Sequence, residues 1–147
     1  MIQFIKGNIF ESKAQALVNA VNTVGVMGGG IALEFKNRFP KNYQQYKKQC
    51  EERTFRTGNL ICVNENDKVI INFPTKEHWK NPSEYTYIET GLSVLKKYIS
   101  ENKIASIAIP ALGCGLGGLQ WKKVKPMIEE SLKEITSTEI YVFEPMN

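Results

Sequence analysis

The sequence predicts a three-layer α/β fold built on one mixed, mainly parallel sheet. Three observations predict it. Short β-rich apolar runs alternate along the chain with longer stretches of helical periodicity, the order expected when helices cover both faces of a sheet. The run Ser106-Ile107-Ala108-Ile109-Pro110-Ala111 is apolar from Ile107 onward, as a central strand buried on both faces should be. A chain of 147 residues with 42% hydrophobic and 23% charged side chains has the size and composition of one compact domain. No repeat, low-complexity tract or linker divides it, so residues 1–147 are expected to form a single domain.

The elements follow in order. Ile2–Lys6 alternates as a strand does and is too short for a signal peptide, which makes a cytoplasmic location the default. Ala16–Ala20 is the second strand. Gly30–Asn37 is a short helix stopped before Pro40, and Asn42–Cys50 is the helix after it. Leu60–Val63 and Val69–Phe73 are strands, possible hairpin partners across the polar turn Asn64-Glu65-Asn66-Asp67. Glu84–Ser100 is the clearest helix: Ile88, Leu92, Leu95 and Ile99 form one stripe, and Ser83 is placed to cap it. Ser106–Ile109 is the central strand. Lys122–Ile135 puts Val124, Ile128, Leu132 and Ile135 on one helix face, and Ile140–Phe143 is the last strand.

Composition excludes several function classes. No apolar run approaches the ~20 residues of a membrane span. The net charge of +4 favours anionic ligands, but the lysines are scattered and form no aromatic-and-basic ladder, so sequence-specific reading of nucleic acid is not expected. Cys50, Cys62 and Cys114 form no CxxC pair and the lone His78 has no histidine partner, which leaves no zinc pattern and calls for no metal or cofactor. Cys114, between two glycines, reads as a small apolar loop residue, because no second histidine exists to activate it.

Two segments carry the chemistry. In the first, Val26-Met27-Gly28-Gly29-Gly30-Ile31-Ala32, three successive glycines lie between a strand and a helix. A tight turn needs one such residue. Three let backbone N–H groups approach a phosphate where the helix dipole also favours an anion. In the second, Pro110 to Leu119, Gly113, Gly115, Gly117 and Gly118 interleave Cys114 and Leu116 after the central strand, which permits a backbone nest for phosphate oxygens. Neither loop fits a GxGxxG fingerprint in the first βα position, and no GxxxxGK[ST] P-loop is present, which disfavours a dehydrogenase or a kinase-type NTPase. Two glycine loops on the carboxyl edge of one sheet suggest a diphosphate held from both sides. Asn19 and Asn22 close the second strand; Asn22 reads either as a turn former or as a residue that both donates to and accepts from a ribose hydroxyl.

These segments, taken with Lys6-Gly7-Asn8-Ile9, resemble the macro domain family, and the ordered combination spans essentially the whole chain. The resemblance implies a mixed sheet sandwiched by helices and a cleft for ADP-ribose. Asn8, Ile9, Asn19, Asn22, Gly28, Gly29, Gly30, Ile31, Thr75 and Phe143 are expected to line it, with Gly113, Cys114, Gly115, Leu116, Gly117, Gly118 and Leu119. Asn8 stands where many members carry an aspartate that accepts from the adenine amino group. Phe143 is either a stacking partner for adenine or plain core.

Within the family the chain resembles the branch that holds the DNA ADP-ribosyl glycohydrolase antitoxin DarG and the human ADP-ribosyl-glutamate hydrolase. The DarG side is favoured by Asn72-Phe73-Pro74-Thr75-Lys76-Glu77-His78-Trp79 and by Gly117, where the human hydrolase carries an aspartate. Among the residues alone Lys76 is one lysine of many. The resemblance makes it the catalytic residue, attacking C1″ of the distal ribose or stabilising the departing base. His78 is a secondary candidate for proton donation, against a structural role. Trp79 and Trp121 are expected as partly buried wedges at the cleft edges.

The implied activity is release of ADP-ribose from thymidine in single-stranded DNA, acting as antitoxin to a DarT-like transferase. The alternatives are a protein ADP-ribosyl-glutamate hydrolase and a non-catalytic ADP-ribose-binding module. A monomer is expected. DarG-like antitoxins are further expected to carry a C-terminal domain that contacts the toxin.

Overall fold

A computed structural model of the chain describes residues 1–146. The strands are β1 (Ile2–Ile5), β2 (Ala16–Asn22), β3 (Ile61–Glu65), β4 (Lys68–Lys76), β5 (Ser106–Ile109) and β6 (Glu139–Phe143), and the helices are α1 (Gly30–Arg38), α2 (Pro40–Glu51), α3 (Tyr85–Glu101) and α4 (Trp121–Leu132). The sheet runs β1-β6-β5-β2-β4-β3. All its pairings are parallel except that of β3 with β4. The β3–β4 hairpin closes through Asn66 and Asp67, both at positive φ (53° and 60°), the geometry whose twist matches a tight two-residue turn.

Side-chain alternation along the strands separates two cores. Val18, Ile71, Phe73, Ile107, Ile109, Ile140 and Val142 meet the apolar stripes of α3 and α4. On the opposite face Leu17, Ile70 and Ala108 pack with Phe35 of α1, and Val21, Ile61 and Val63 pack with Tyr46 and Cys50 of α2. The mixed, mainly parallel three-layer arrangement is the one the sequence predicts. Its carboxyl edge gathers the ends of β1, β6, β5, β2 and β4, where Lys6, the loop after Ile109, Asn22 and Lys76 emerge side by side. Among the described residues no helix is long and apolar enough to cross a membrane.

One short element is added and three local expectations are corrected. A single turn of 3-10 helix at Ile9–Glu11, too short to show periodicity, is capped when Phe10 N donates to Asn8 Oδ1 at 2.9 Å. Pro40 opens α2 at its first turn, where a missing N–H has no helical partner to lose. Ser83 does not cap α3: Glu84 holds that position without a side-chain bond, and Ser83 is drawn inward instead. α4 ends at Leu132, yet Ile135 beyond it still reaches the core.

Gly91 sets how closely α3 approaches the sheet. A Cβ there would overlap the buried Phe73 ring, whose Cε1 lies 2.5 Å away. Gly91→Ala gains ~1 kcal/mol of helix propensity but overpacks a rigid aromatic, which costs about 1–3 kcal/mol. Thermal unfolding is therefore expected to show a lower Tm. A raised one would mean that helix and sheet separate freely.

Candidate active site

The second glycine loop is fixed through its carbonyls. Cys114 N donates to Ala111 O (3.1 Å), Leu119 N to Gly113 O (2.9 Å), Gly118 N to Gly115 O (3.2 Å) and Ser83 N to Gly117 O (3.0 Å). Lys76 Nζ takes Leu116 O at 3.2 Å. With these oxygens engaged, the N–H groups of Gly115, Leu116 and Gly117 have no partner among the described residues, as a nest for an anion requires. A Cβ on Gly115 would meet nothing within 4 Å, so packing within the protein does not demand glycine there. Gly117 is different: a Cβ would overlap Ser83 Oγ and lie 2.5 Å from Gly113 O. No aspartate fits this backbone.

The first loop leads into α1. Gly29 is the N-cap and makes no side-chain cap bond, so the first-turn N–H groups are open to an anion. Gly30 has φ +58°, a left-handed conformation that favours glycine. The two loops touch: Leu116, 77% exposed, lies across Gly29, its Cδ1 3.1 Å from where a Cβ would be. Ile31, half-buried, packs against the core cluster that holds Phe35 and Ile70.

Two cavities lie beyond this crossing, the first reaching from the carboxyl edge to Ala14 and Ser106 at the amino ends of β2 and β5. One, of about 460 Å³, is lined by Lys6, Asn8, Tyr141 and Phe143 among others. The second, of about 390 Å³, lies between Lys6, Cys114, Leu119, Trp121 and Glu144. Asn8 and Phe143 therefore share one hollow, the arrangement an adenine held by edge and face needs. Asn8 Oδ1 already accepts from Phe10 N and keeps one lone pair for a ligand. Ile9 is a core side chain, so only its backbone is available.

Lys76 ends β4, beside Asn22 at the end of β2, with a register shift between Val21 and Asn22. Its Nζ donates to Leu116 O and to Trp79 O (3.3 Å), which leaves one of the three N–H groups of an ammonium for a substrate. His78 Nδ1 accepts from Lys80 N at 3.1 Å and its ring lies tilted beside that of Trp79, so its placement serves the turn. Cys114 is pushed up to about 11 by burial; a thiol at neutral pH matches the reading of a loop residue. Among the described residues no group of three His, Cys, Asp or Glu side chains could hold a metal ion.

Three expected ligand contacts are changed by the structure. Asn19 is fully buried: its Nδ2 faces Asn72 Oδ1 (3.4 Å) and Met27 Sδ (3.8 Å), within a polar cluster completed by Asn42. It supports the sheet beneath the site. Thr75 is likewise buried, on the strand just behind Lys76. Asn22 Oδ1 is saturated by Val24 N (3.1 Å), Val26 N (3.3 Å) and the Tyr46 hydroxyl (2.9 Å), while its Nδ2 donates to Val26 O (2.7 Å). Asn22 therefore builds the turn; its oxygen is not open to a ribose hydroxyl, and a single amide hydrogen remains to donate. Trp121 is half-buried against Phe4, its Nε1 donating to Glu144, whereas Trp79, 49% exposed, is more open than the partly buried wedge expected.

Sequence reasoning missed Tyr46 and the inward turn of Ser83. The single hydrogen of the Tyr46 hydroxyl is shared between Asn22 O (2.8 Å) and Oδ1 (2.9 Å), and burial holds its ionisation far above the usual range. Helical spacing marks Tyr46 as core; nothing in the sequence pairs it with Asn22. Tyr46→Phe is expected to destabilise by ~1 kcal/mol, a Tm loss of roughly 2–4 °C for a domain of this size. An unchanged Tm would mean that the hydroxyl does not hold the loop.

A six-stranded mixed sheet covered by helices on both faces, with two glycine loops across its carboxyl edge, defines a three-layer α/β domain. The chain belongs to the macro domain family, whose model matches residues 18–128. It is similar to the DNA ADP-ribosyl glycohydrolase of Thermus aquaticus, at 46% identity over 99% of this chain and 42% of the relative. The solved macrodomain of Thermus aquaticus DarG superposes with a TM-score of 0.94 over 99% of both chains, at 46% identity. The structure of Thermosipho africanus DarTG in complex with ADP-ribose matches with a TM-score of 0.92 at 34% identity, over 99% of this chain and 42% of that one. Human ADP-ribose glycohydrolase OARD1 is 28% identical over 97% of this chain and 90% of its own. The chain thus spans about 42% of the DNA ADP-ribosyl glycohydrolase it matches.

Proposed function

We propose that this domain binds ADP-ribose along the carboxyl edge of the sheet and hydrolyses it from ADP-ribosylated single-stranded DNA. Adenine occupies the Asn8–Phe143 hollow, and the diphosphate lies between the N-terminus of α1 and the N–H groups of Gly115 to Gly117. The distal ribose then meets Asn22 and Lys76. The C1″–base bond breaks by one of two routes: water attacks C1″ while the Lys76 ammonium donates a proton to the departing base, or the free amine of Lys76 attacks C1″ as the base leaves and water then hydrolyses the Lys76–C1″ bond, releasing ADP-ribose and the amine. The observation that carries the choice of substrate is the space at Gly117, where Ser83 and a backbone carbonyl exclude the acid expected of a glutamate-directed hydrolase.

The names of the relatives support this reading. One is a DNA ADP-ribosyl glycohydrolase, and a Thermosipho africanus relative is a transferase–glycohydrolase fusion. On the same ground we propose opposition to a DarT-like toxin as the biological role, with the domain acting as a cytoplasmic monomer. The test is a side-by-side assay of a thymidine-ADP-ribosylated oligonucleotide and an ADP-ribosyl-glutamate protein. Faster turnover of the DNA is expected. Faster turnover of the protein ester would overturn the choice of substrate, and tight ADP-ribose binding with neither released would reduce the domain to a binding module.

A further inference from the structure

Of the exposed large hydrophobic side chains among the described residues, Trp79 is the aromatic one, at 49%. Scattered exposed side chains are ordinary; the surroundings of this one are not. Its own carbonyl accepts from Lys76 Nζ at 3.3 Å, so the residue's backbone lies at the proposed reacting centre. The ring of His78 lies beside it, centroids 5.3 Å apart at 31°. Lys80 Nζ lies over the face of the ring, 5.2 Å from its centroid, a cation–π contact.

The turn that carries them is pinned. Lys80 N donates to His78 Nδ1, Asn81 N to His78 O and Thr23 N to Glu77 O. The nearby carboxylates, Glu77 and Glu84, share the Tyr87 hydroxyl. An aromatic side chain held on a fixed turn loses little entropy when a flat ligand stacks on it. An adjacent lysine supplies the charge that a phosphodiester seeks.

We propose that Trp79, bordered by the tilted ring of His78, is a stacking platform for the nucleobase next to the ADP-ribosylated nucleotide, the base taking the place of Lys80 over the ring while the lysine turns to a phosphate. The platform holds the strand at Lys76 independently of the grip on ADP-ribose. It is a specificity-determining site for single-stranded polynucleotide, and because every base has a π-face it confers strand preference without sequence preference. The inference rests on the DNA reading above and deepens it. A single platform also fits the modest net charge of +4, which does not suit a protein that binds long strands tightly.

The test compares kcat/KM on two substrates: free ADP-ribosylated thymidine nucleoside, and a single-stranded oligonucleotide of about ten nucleotides modified at an internal thymidine. Trp79→Ala is expected to lower the oligonucleotide value roughly tenfold, mainly through KM, which matches stacking worth ~1–3 kcal/mol per base. The nucleoside value should change less than about twofold, Trp79→Phe should recover most of the loss, and the Tm should hold because the ring is exposed. Equal loss on both substrates, or no loss on the oligonucleotide, overturns the platform.

Fluorescence quenching by the unmodified oligonucleotide separates this inference from the reading beneath it. Quenching that vanishes in Trp79→Phe, in a wild-type protein that releases no ADP-ribose from DNA, would sustain the platform and sink the hydrolase. Release from DNA that is indifferent to Trp79 would do the reverse.

Discussion

Lys76→Ala is expected to lower turnover of ADP-ribosylated DNA by about a thousandfold, within the span a positioned proton donor or nucleophile supplies, while ADP-ribose affinity changes less than about threefold. The split follows from position. The phosphate-binding N–H groups belong to the two loops, and Lys76 lies at the end of β4, outside both. Its amine is not a free surface charge: bonds to Leu116 O and Trp79 O hold Nζ against the second loop. Calorimetry on the variant isolates binding, and a discontinuous release assay isolates chemistry. Lys76→Arg then separates the two roles, because a guanidinium can stabilise a departing base but cannot attack C1″. Partial activity points to charge stabilisation and none to covalent attack. Full activity in Lys76→Ala would remove the lysine from the mechanism.

Gly117→Asp carries the second large effect. Its Cβ would overlap Ser83 Oγ and stand 2.5 Å from Gly113 O. Overpacking of this kind costs about 3 kcal/mol at the upper end, roughly a 10 °C loss in Tm. Because one of the colliding atoms is a backbone carbonyl, adding Ser83→Ala should not restore stability. The displaced loop should also lose the orientation of its N–H groups, with at least about a tenfold loss of ADP-ribose affinity. A stable Gly117→Asp protein that gained activity on glutamate-linked ADP-ribose would show instead that charge, and not space, separates the two substrates.

Much of this fold was legible because its signals are local. Four apolar positions on one face announce α3, and Asn66-Asp67 supports a hairpin. The limits of β4 were not legible. Pro74 should end a strand, yet the strand runs on to Lys76. β3 pairs with β4 only as far as Asn72, and beyond that point a proline costs no ladder bond on that side. That extension is what carries Lys76 to the edge, so a property of the sheet decides the position of a proposed catalytic group.

The glycine loops were legible as a phosphate grip, because their runs violate packing and entropy preferences together. The asparagines were read too simply. Nothing in the spacing of Asn19, Asn42 and Asn72 reveals that three strand and helix positions converge on one buried cluster, and Asn22 is held by a tyrosine 24 residues away. Ser83 illustrates the same point: a residue in ideal capping position is drawn to Gly117 by a loop remote in sequence.

The claim at the centre of this account is that the domain releases ADP-ribose from DNA. Mass spectrometry of a thymidine-ADP-ribosylated oligonucleotide incubated with the wild-type chain tests it most directly. The account predicts that the strand returns to its unmodified mass while free ADP-ribose appears in equal amount. A strand that keeps its ADP-ribose, in the presence of protein shown to bind free ADP-ribose, would contradict it.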